Sequence, residues 1–155
     1  KLKYCLTDKE INRPKHFQDM HIRTASAVKY QHNESVRKKF AERIPECRKL
    51  EFQSGNLVIC QPSEIDEITA EGKILHHCVA GYAERHAEGK LHILFIRQAD
   101  KPGIPFYTME VTTDGKIKQV QGRRNCATTP EVAELIEEYK IYIQSIFRKK
   151  ERLNT

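Results

Sequence analysis

The segment that decides the fold spans residues 106–121 and reads Phe-Tyr-Thr-Met-Glu-Val-Thr-Thr-Asp-Gly-Lys-Ile-Lys-Gln-Val-Gln. Asp-Gly between two strand-like stretches is a strong signal for a β-hairpin with a two-residue turn. Counting outward from this turn fixes the register, because cross-strand partners share one face of a sheet. The predicted pairs are Thr113–Lys116, Val111–Lys118, Glu110–Gln119, Met109–Val120 and Thr108–Gln121.

This register predicts a sheet with one polar and one apolar face. Met109 and Val120 lie on the apolar side. A slip of one residue would exchange the two faces, so the prediction depends on the turn. The polar face carries Thr108, Glu110, Gln119 and Gln121.

The C-terminal part of the chain has the clearest helix signal. Thr128 or Thr129 can cap the helix, and Pro130 stands near its first position, where proline is favoured. Apolar residues then recur at three- and four-residue steps. We expect this helix to cover the Met109/Val120 face. Its apolar stripe comprises Val132, Leu135, Ile136, Tyr139, Ile143, Ile146 and Phe147.

Other elements precede the hairpin. A helix opening at Pro14 and a second one capped by Asn33 are predicted within the first 49 residues. Residues 50–53 and 57–60 form a second hairpin candidate around a Ser-Gly-Asn turn. Ser63 can cap a short helix, and residues 91–97 are apolar enough for a central strand.

The segment from Glu71 to Gly89 is predicted to be a helix from about Lys73 to His86. Helical phasing puts Cys78 at the centre of its apolar face, with Tyr82 one turn further on. His76 flanks that face, whereas His77 points to the opposite side. This face consists of Leu75, Cys78, Val79, Tyr82, Ala83 and His86.

Together these elements predict an α+β protein with an antiparallel sheet of about four to five strands and helices on both faces. We expect a helical N-terminal region at residues 1–49, an α+β domain at 50–150 and a tail at 151–155. No apolar run approaches the roughly 18 residues of a membrane span, and no secretory signal is visible. Five widely spaced cysteines without a Cys-x-x-Cys pair indicate reduced thiols in a cytoplasm.

The net charge of +6 indicates a polyanionic partner, of which nucleic acid, DNA or RNA, is the commonest. The basic residues at 148–152 also suit the last turn of a helix, where the dipole attracts cations. The loop at 122–125 precedes a capped helix and can bind phosphate through its amides and two arginines. The candidate phosphate-binding residues are Arg123, Arg124, Lys116 and Lys118.

An ordered set of motifs resembles the PcfJ-like family. The motifs are Leu-His-x-Cys-Val-x-x-Tyr at 75–82, a strand ending in Arg97, Pro-x-x-Thr-x-Glu at 105–110, and Gln-x-x-Gly-x-x-Asn at 119–125. The resemblance covers about residues 71–140 well, and implies the C-terminal portion of a longer member. It also implies an association with conjugative plasmids and other mobile elements, with DNA-transfer machinery, and with protein partners of a transfer or defence complex.

Two kinds of chemistry at residues 76–78 are disfavoured. His76, His77 and Cys78 offer zinc-ligand types, but neighbours on a helix point about 100° apart and cannot easily share one ion. Remote ligands such as Cys126 or His21 would be needed, so we expect neither a metal nor a cofactor. Cys78 on an apolar stripe is more typical of a core residue than of a nucleophile.

The carboxylate of Glu110 is the stronger candidate. If the helix at 73–86 covers the polar face, Glu110 is buried and needs partners, which Arg97, His76 or Tyr82 could supply. A structural Arg97–Glu110 ion pair is the competing interpretation. The candidate catalytic pocket comprises His76, Tyr82, Arg97, Glu110, Gln119 and Asn125.

Three functions stay open at this point. The first is a nucleic-acid-associated accessory domain of mobile-element or plasmid-transfer machinery, with a polar cleft. The second is an enzyme that acts on a nucleic acid, a nucleotide or a phosphate ester through that pocket. The third is a protein–protein adaptor.

Overall fold

A computed structural model describes residues 34–153 of the protein. The helix predicted to open at Pro14 and the residues Cys5, His21 and Asn33 lie outside this range. The described helices are α1 (Glu34–Cys47), α2 (Ile65–Leu75), α3 (Ala83–Ala87) and α4 (Pro130–Leu153). The strands are β1 (Phe52–Ser54), β2 (Leu57–Cys60), β3 (His92–Gln98), β4 (Tyr107–Val111) and β5 (Ile117–Gln121), and 3-10 turns span Arg48–Leu50, Cys78–Tyr82 and Arg123–Asn125.

The five strands form one antiparallel sheet in the order β1-β2-β3-β4-β5. This confirms the α+β class, the strand number and the central position of the strand near residues 91–97. Helix α1 precedes the sheet, as the predicted helical N-terminal region requires. Every strand pairs with its neighbour in sequence, so β1 and β5 are the two edges of the sheet.

Helix α4 covers one face of the sheet, as its apolar stripe predicts. Met109 from β4 and Leu94 from β3 pack in one core cluster with Leu135 and Tyr139 from the helix. The Tyr139 hydroxyl donates a hydrogen bond to the carbonyl oxygen of Leu50 at 2.8 Å, so the buried phenol has a partner. At the start of α4, the Thr129 hydroxyl oxygen accepts from the Val132 N–H, which confirms the predicted cap.

The opposite face is covered only in part. Ile93 and Phe95 of β3 pack there against Phe40 of α1, Ile68 of α2 and Ala83 of α3. Towards β4 and β5 the same face carries polar side chains instead of apolar ones. On this polar half of the face, a cleft lies between the Cys78–Tyr82 turn and strands β4 and β5.

The hairpin confirms the predicted register where it matters for the polar face. Thr108 pairs with Gln121, Met109 with Val120 and Glu110 with Gln119. The two predicted pairs nearer the turn are wrong, because Thr112 and not Thr113 bonds to Lys116 and Val111 pairs with Ile117. A three-residue loop moves the register by one position, and a bulge at Lys118 moves it back. The last residue of the three-residue loop is Gly115, which has φ +80°.

The predicted single helix from Lys73 to His86 is wrong. The short helix predicted after Ser63 is present as α2, which begins at Ile65 and continues to Leu75, where it ends because His76 adopts the left-handed conformation with φ 55°. The chain then reverses, and the Cys78–Tyr82 turn folds back onto α2. A Cβ atom built on Gly72 would lie 2.6 Å from the backbone nitrogen of Ala80, whereas these residues would be about 12 Å apart along one continuous helix.

This close approach predicts that Gly72→Ala destabilises the protein strongly. The new methyl group meets backbone atoms that cannot rotate away, and overpacking of this kind costs about 1–3 kcal/mol. The matched control is Gly81→Ala, since a Cβ there meets nothing within 4 Å. Urea unfolding of the two variants should show a clear loss for Gly72→Ala and a change within about 0.5 kcal/mol for Gly81→Ala. Equal effects would contradict the chain reversal.

Candidate functional site: a polar cleft beside the edge strand

The cleft lies between the Cys78–Tyr82 turn and the polar face of β4 and β5. Its floor comes from the sheet and its wall from the segment that follows α2. The cavity volume is small, about 10 Å³, which is the space of about one water molecule. The lining residues are His77, Cys78, Val79, Tyr82, Ile93, Thr108, Glu110, Gln119 and Gln121.

Glu110 is the charged group of the cleft floor and is only 3% exposed. Gln119 donates from its side-chain nitrogen to Glu110 Oε2 at 2.6 Å. Lys118 donates from Nζ to Glu110 Oε1 at 3.2 Å, while its own side chain remains half exposed. The partners of the buried carboxylate are therefore its neighbours on β5, and not Arg97, His76 or Tyr82.

Arg97 pairs with Glu71 instead of Glu110. The guanidinium donates to both carboxylate oxygens, at 2.8 and 2.6 Å, and the Thr108 hydroxyl donates to Glu71 Oε1 at 3.2 Å. Burial raises the pKa of the Glu71 carboxyl, and Arg97 and Thr108 oppose this rise. The pair is buried on the same face of the sheet as the cleft, and Thr108 both donates to Glu71 and lines the cleft.

The burial of Glu71 was missed by sequence reasoning. Its signal is present, because Ile65, Ile68, Glu71 and Leu75 follow helical spacing from a start at Ile65. Glu71 lies on this buried face and is 2% exposed. A helix started at Lys73 excludes Glu71 and hides the pattern.

His77 belongs to the cleft, although helical phasing places it on the opposite side. The residue has extended backbone angles and caps the Cys78–Tyr82 turn, where its Nδ1 accepts from the Val79 N–H at 3.4 Å. Burial lowers the pKa of the imidazole. Its Nε2 is buried and has no hydrogen-bond partner in the described part of the chain.

The prediction that Cys78 is a core residue is wrong. Its side chain is exposed and lies at the cleft, since the helix that would have buried it ends at Leu75. Val79 takes the buried place in this turn and is 5% exposed. The stripe of predicted apolar positions is thus interrupted by the chain reversal.

The structure brings together Tyr82, Glu110 and Gln119 from the predicted pocket, and leaves three of its members outside. His76 is exposed at the end of α2, and Asn125 is exposed in the turn after β5 with φ 59°. Arg97 is buried in the ion pair with Glu71. The cleft therefore contains His77, Cys78, Thr108 and Gln121 in place of His76, Arg97 and Asn125.

Basic residues follow the edge strand β5 from end to end. Lys116 before the strand pairs with Asp114 at 2.7 Å, and Lys118 within it pairs with Glu110. Arg123 and Arg124 stand in the turn that follows, and both are exposed. Arg124 has a left-handed backbone with φ 54°.

Two further findings concern the described residues alone. Residues 34–149 contain no group of three or more His, Cys, Asp or Glu side chains arranged to hold a metal ion. None of the helices between residues 34 and 153 has the length and apolar character that crossing a bilayer requires.

The fold and the cleft define an α+β domain with a polar site at the open half of its sheet. The family model for "PcfJ-like protein" matches residues 1–137, and the chain belongs to this family. A Listeria innocua (serovar 6a) protein described as "Uncharacterized protein Lin1253/Lin1744" is 27% identical over 146 residues. The match covers 93% of this chain and 32% of that protein, so the chain spans about a third of its relative. No solved structure matches the chain.

The motifs that carry the family resemblance converge on the cleft. Cys78, Val79 and Tyr82 come from the first motif, and Thr108 and Glu110 come from the third. Gln119 opens the last motif and donates its hydrogen bond to Glu110. Three segments that span about 40 residues of sequence thus supply one set of neighbouring side chains, as expected of a site and not of a single structural turn.

The Glu71–Arg97 pair predicts strong non-additivity between its two members. Glu71→Leu leaves a buried guanidinium without its partner, and Arg97→Met leaves a buried carboxylate, each at a cost of about 3–5 kcal/mol. The double variant has no buried charge at this place and should lose less than either single variant. Denaturant unfolding of the four proteins measures these differences. Additive losses in the double variant would contradict a coupled, buried pair.

Proposed function

We propose that this protein is a nucleic-acid-binding accessory module of mobile-element or plasmid-transfer machinery. In this proposal the basic turn after β5 contacts the phosphate backbone, and the polar cleft receives one group of the bound strand. The family membership supports the setting. One observation carries the binding role: a cleft of hydrogen-bonding side chains lies beside exposed cations that have no ion-pair partner among the described residues.

Arg123 and Arg124 are those cations. Both are exposed, and neither takes part in an ion pair with another described residue. Lys116 and Lys118, in contrast, are each paired with a carboxylate and so offer less net charge to a ligand. A planar guanidinium can hold two phosphate oxygens at once, which suits Arg123 and Arg124 to this contact.

The arrangement favours binding over catalysis. A general base needs a free lone pair within reach of the proton that it takes. In His77 the lone pair of Nδ1 already accepts from the Val79 N–H, so the ring presents a donor to the cleft. Glu110 accepts from Gln119 and Lys118, which hold the carboxylate in place and leave each of its oxygens one further acceptor position.

An enzyme acting on a nucleic acid or phosphate ester is the second candidate. The observation in its favour is that the exposed thiol of Cys78 shares the cleft with Tyr82 and Glu110. The two functions differ in one outcome. Prolonged incubation with labelled DNA, RNA or nucleotides leaves the ligand intact if the site only binds, and a chemically altered ligand would support the enzyme.

The binding proposal predicts that Arg123→Gln/Arg124→Gln weakens nucleic-acid binding and its salt dependence. The plot of log K against log salt has a negative slope, and each lost phosphate contact with a single strand makes it shallower by about 0.7. The slope of the double variant should therefore be shallower by about 1.4. Fluorescence anisotropy across a salt series, with a labelled single-stranded oligonucleotide and the full 155-residue chain, measures this slope.

The matched control removes the same charge elsewhere. Lys38 and Lys39 are exposed on α1. This helix packs on the apolar half of the sheet face that carries the cleft. Lys38→Gln/Lys39→Gln should keep a slope close to that of the unmodified protein. An equal loss in both double variants would mean that only net charge matters, and an absence of binding even at low salt would rule out the proposed function.

A further inference from the structure

We infer that the cleft recognises the Watson–Crick edge of an unpaired guanine, through the His77 Nε2–H and the Glu110 carboxylate. This inference rests on the proposed function, because it names the group of a nucleic acid that the cleft receives. It assigns a role to His77 that neither helical phasing nor the family match provides.

The neutral His77 ring carries its proton on Nε2. Its Nδ1 accepts a hydrogen bond from the Val79 N–H, so this nitrogen has no proton in the neutral ring. The proton of neutral imidazole then resides on Nε2, which makes Nε2–H a donor. That donor is buried and has no partner among the described residues.

An unpaired buried donor is costly and therefore informative. Folded proteins satisfy the large majority of such groups, so one without a protein partner calls for an explanation, such as a water molecule or a ligand group in the adjacent cavity. His77 lines the cleft, so a ligand that enters can supply the missing acceptor. A carbonyl oxygen of a base is one such acceptor.

Glu110 has acceptor positions that its protein partners do not use. An ionised carboxylate has about four acceptor positions on its two oxygens. Gln119 and Lys118 use one on each oxygen, so each oxygen can accept one more hydrogen bond. The cleft therefore offers one N–H donor together with a pair of carboxylate acceptors.

The Watson–Crick edge of guanine is complementary to the His77 donor and the Glu110 acceptors. Guanine presents a carbonyl group, O6, beside two adjacent groups of N–H donors, N1–H and the N2 amine, on one edge. Adenine and cytosine have a single donor group on this edge, and thymine and uracil have one N–H between two carbonyls. Among the common bases, guanine alone pairs two donor groups with a carboxylate while its carbonyl accepts from His77.

The shape of the cleft agrees with recognition of an edge. The cavity of about 10 Å³ has room for a water-sized group and not for a ring, so a base would present its edge at the mouth of the cleft. Val79 and the half-buried ring of Tyr82 provide apolar walls beside it, of the kind on which bases pack. The Watson–Crick edge is occupied in a duplex, which restricts the ligand to unpaired guanine.

The test compares a short oligothymidylate with the same oligonucleotide carrying one central guanine, by anisotropy with the full chain. The guanine oligonucleotide should bind at least about tenfold more tightly. Inosine at that position lacks the N2 amine and should lose most of this gain, whereas 7-deazaguanine keeps the Watson–Crick edge and should retain it. DNA, RNA and free GMP versions identify which source of guanine the cleft accepts.

Two protein variants locate the preference in the cleft. Asn in His77→Asn can still cap the turn through its side-chain oxygen, but it lacks the Nε2–H donor. Glu110→Gln preserves the shape and removes one acceptor. Each variant should bring the affinity ratio between the guanine and thymine oligonucleotides close to one.

The outcomes separate this inference from the proposed function. Salt-dependent binding with equal affinity for both oligonucleotides, or with a preference for another base, overturns guanine recognition and leaves the nucleic-acid module intact. Full guanine preference in His77→Asn would also overturn it. Absence of binding to any DNA or RNA would overturn both.

Discussion

The structure depends on one buried interaction, the ion pair between Glu71 of α2 and Arg97 of β3. Both guanidinium hydrogen bonds are short, and the Thr108 hydroxyl of β4 joins them. Two charges in an apolar layer are tolerated only when each satisfies the other, so the pair fixes where α2 meets the sheet. This position decides how much of the sheet the helices cover.

The cleft follows from that position. With α2 held over β3, the chain reverses at His76 and packs Ala80 onto Gly72. The Cys78–Tyr82 turn then becomes a wall, and the polar half of the sheet becomes a floor. Thr108 connects the two regions, because it donates to Glu71 and also lines the cleft. The side chains of the cleft are thus placed by an ion pair that lies outside the cleft lining.

Sequence periodicity predicted the sheet well because its rule is local. Alternation and an Asp-Gly turn placed Glu110 opposite Gln119, even though the loop is one residue longer than expected, since the bulge at Lys118 compensates. The break at His76 could not be read in the same way. The apolar residues between 75 and 86 keep a helical period across it, whereas the chain reverses at His76 and packs Ala80 onto Gly72. For this reason Cys78 is exposed at the cleft and not in the core, and His77 lines the cleft and not the opposite side.

In the proposed complex, nucleic acid lies in the cleft between residues 77–82 and strands β4 and β5. An NMR titration of the isotopically labelled chain with a single-stranded oligonucleotide locates the bound strand residue by residue. Binding in the cleft should give the largest shift changes at His77, Tyr82, Glu110 and Gln119, with the Arg123–Arg124 turn next, and the His77 nitrogens should show a proton on Nε2. Changes confined to α1 or to the end of α4, with the cleft signals unmoved, would contradict it.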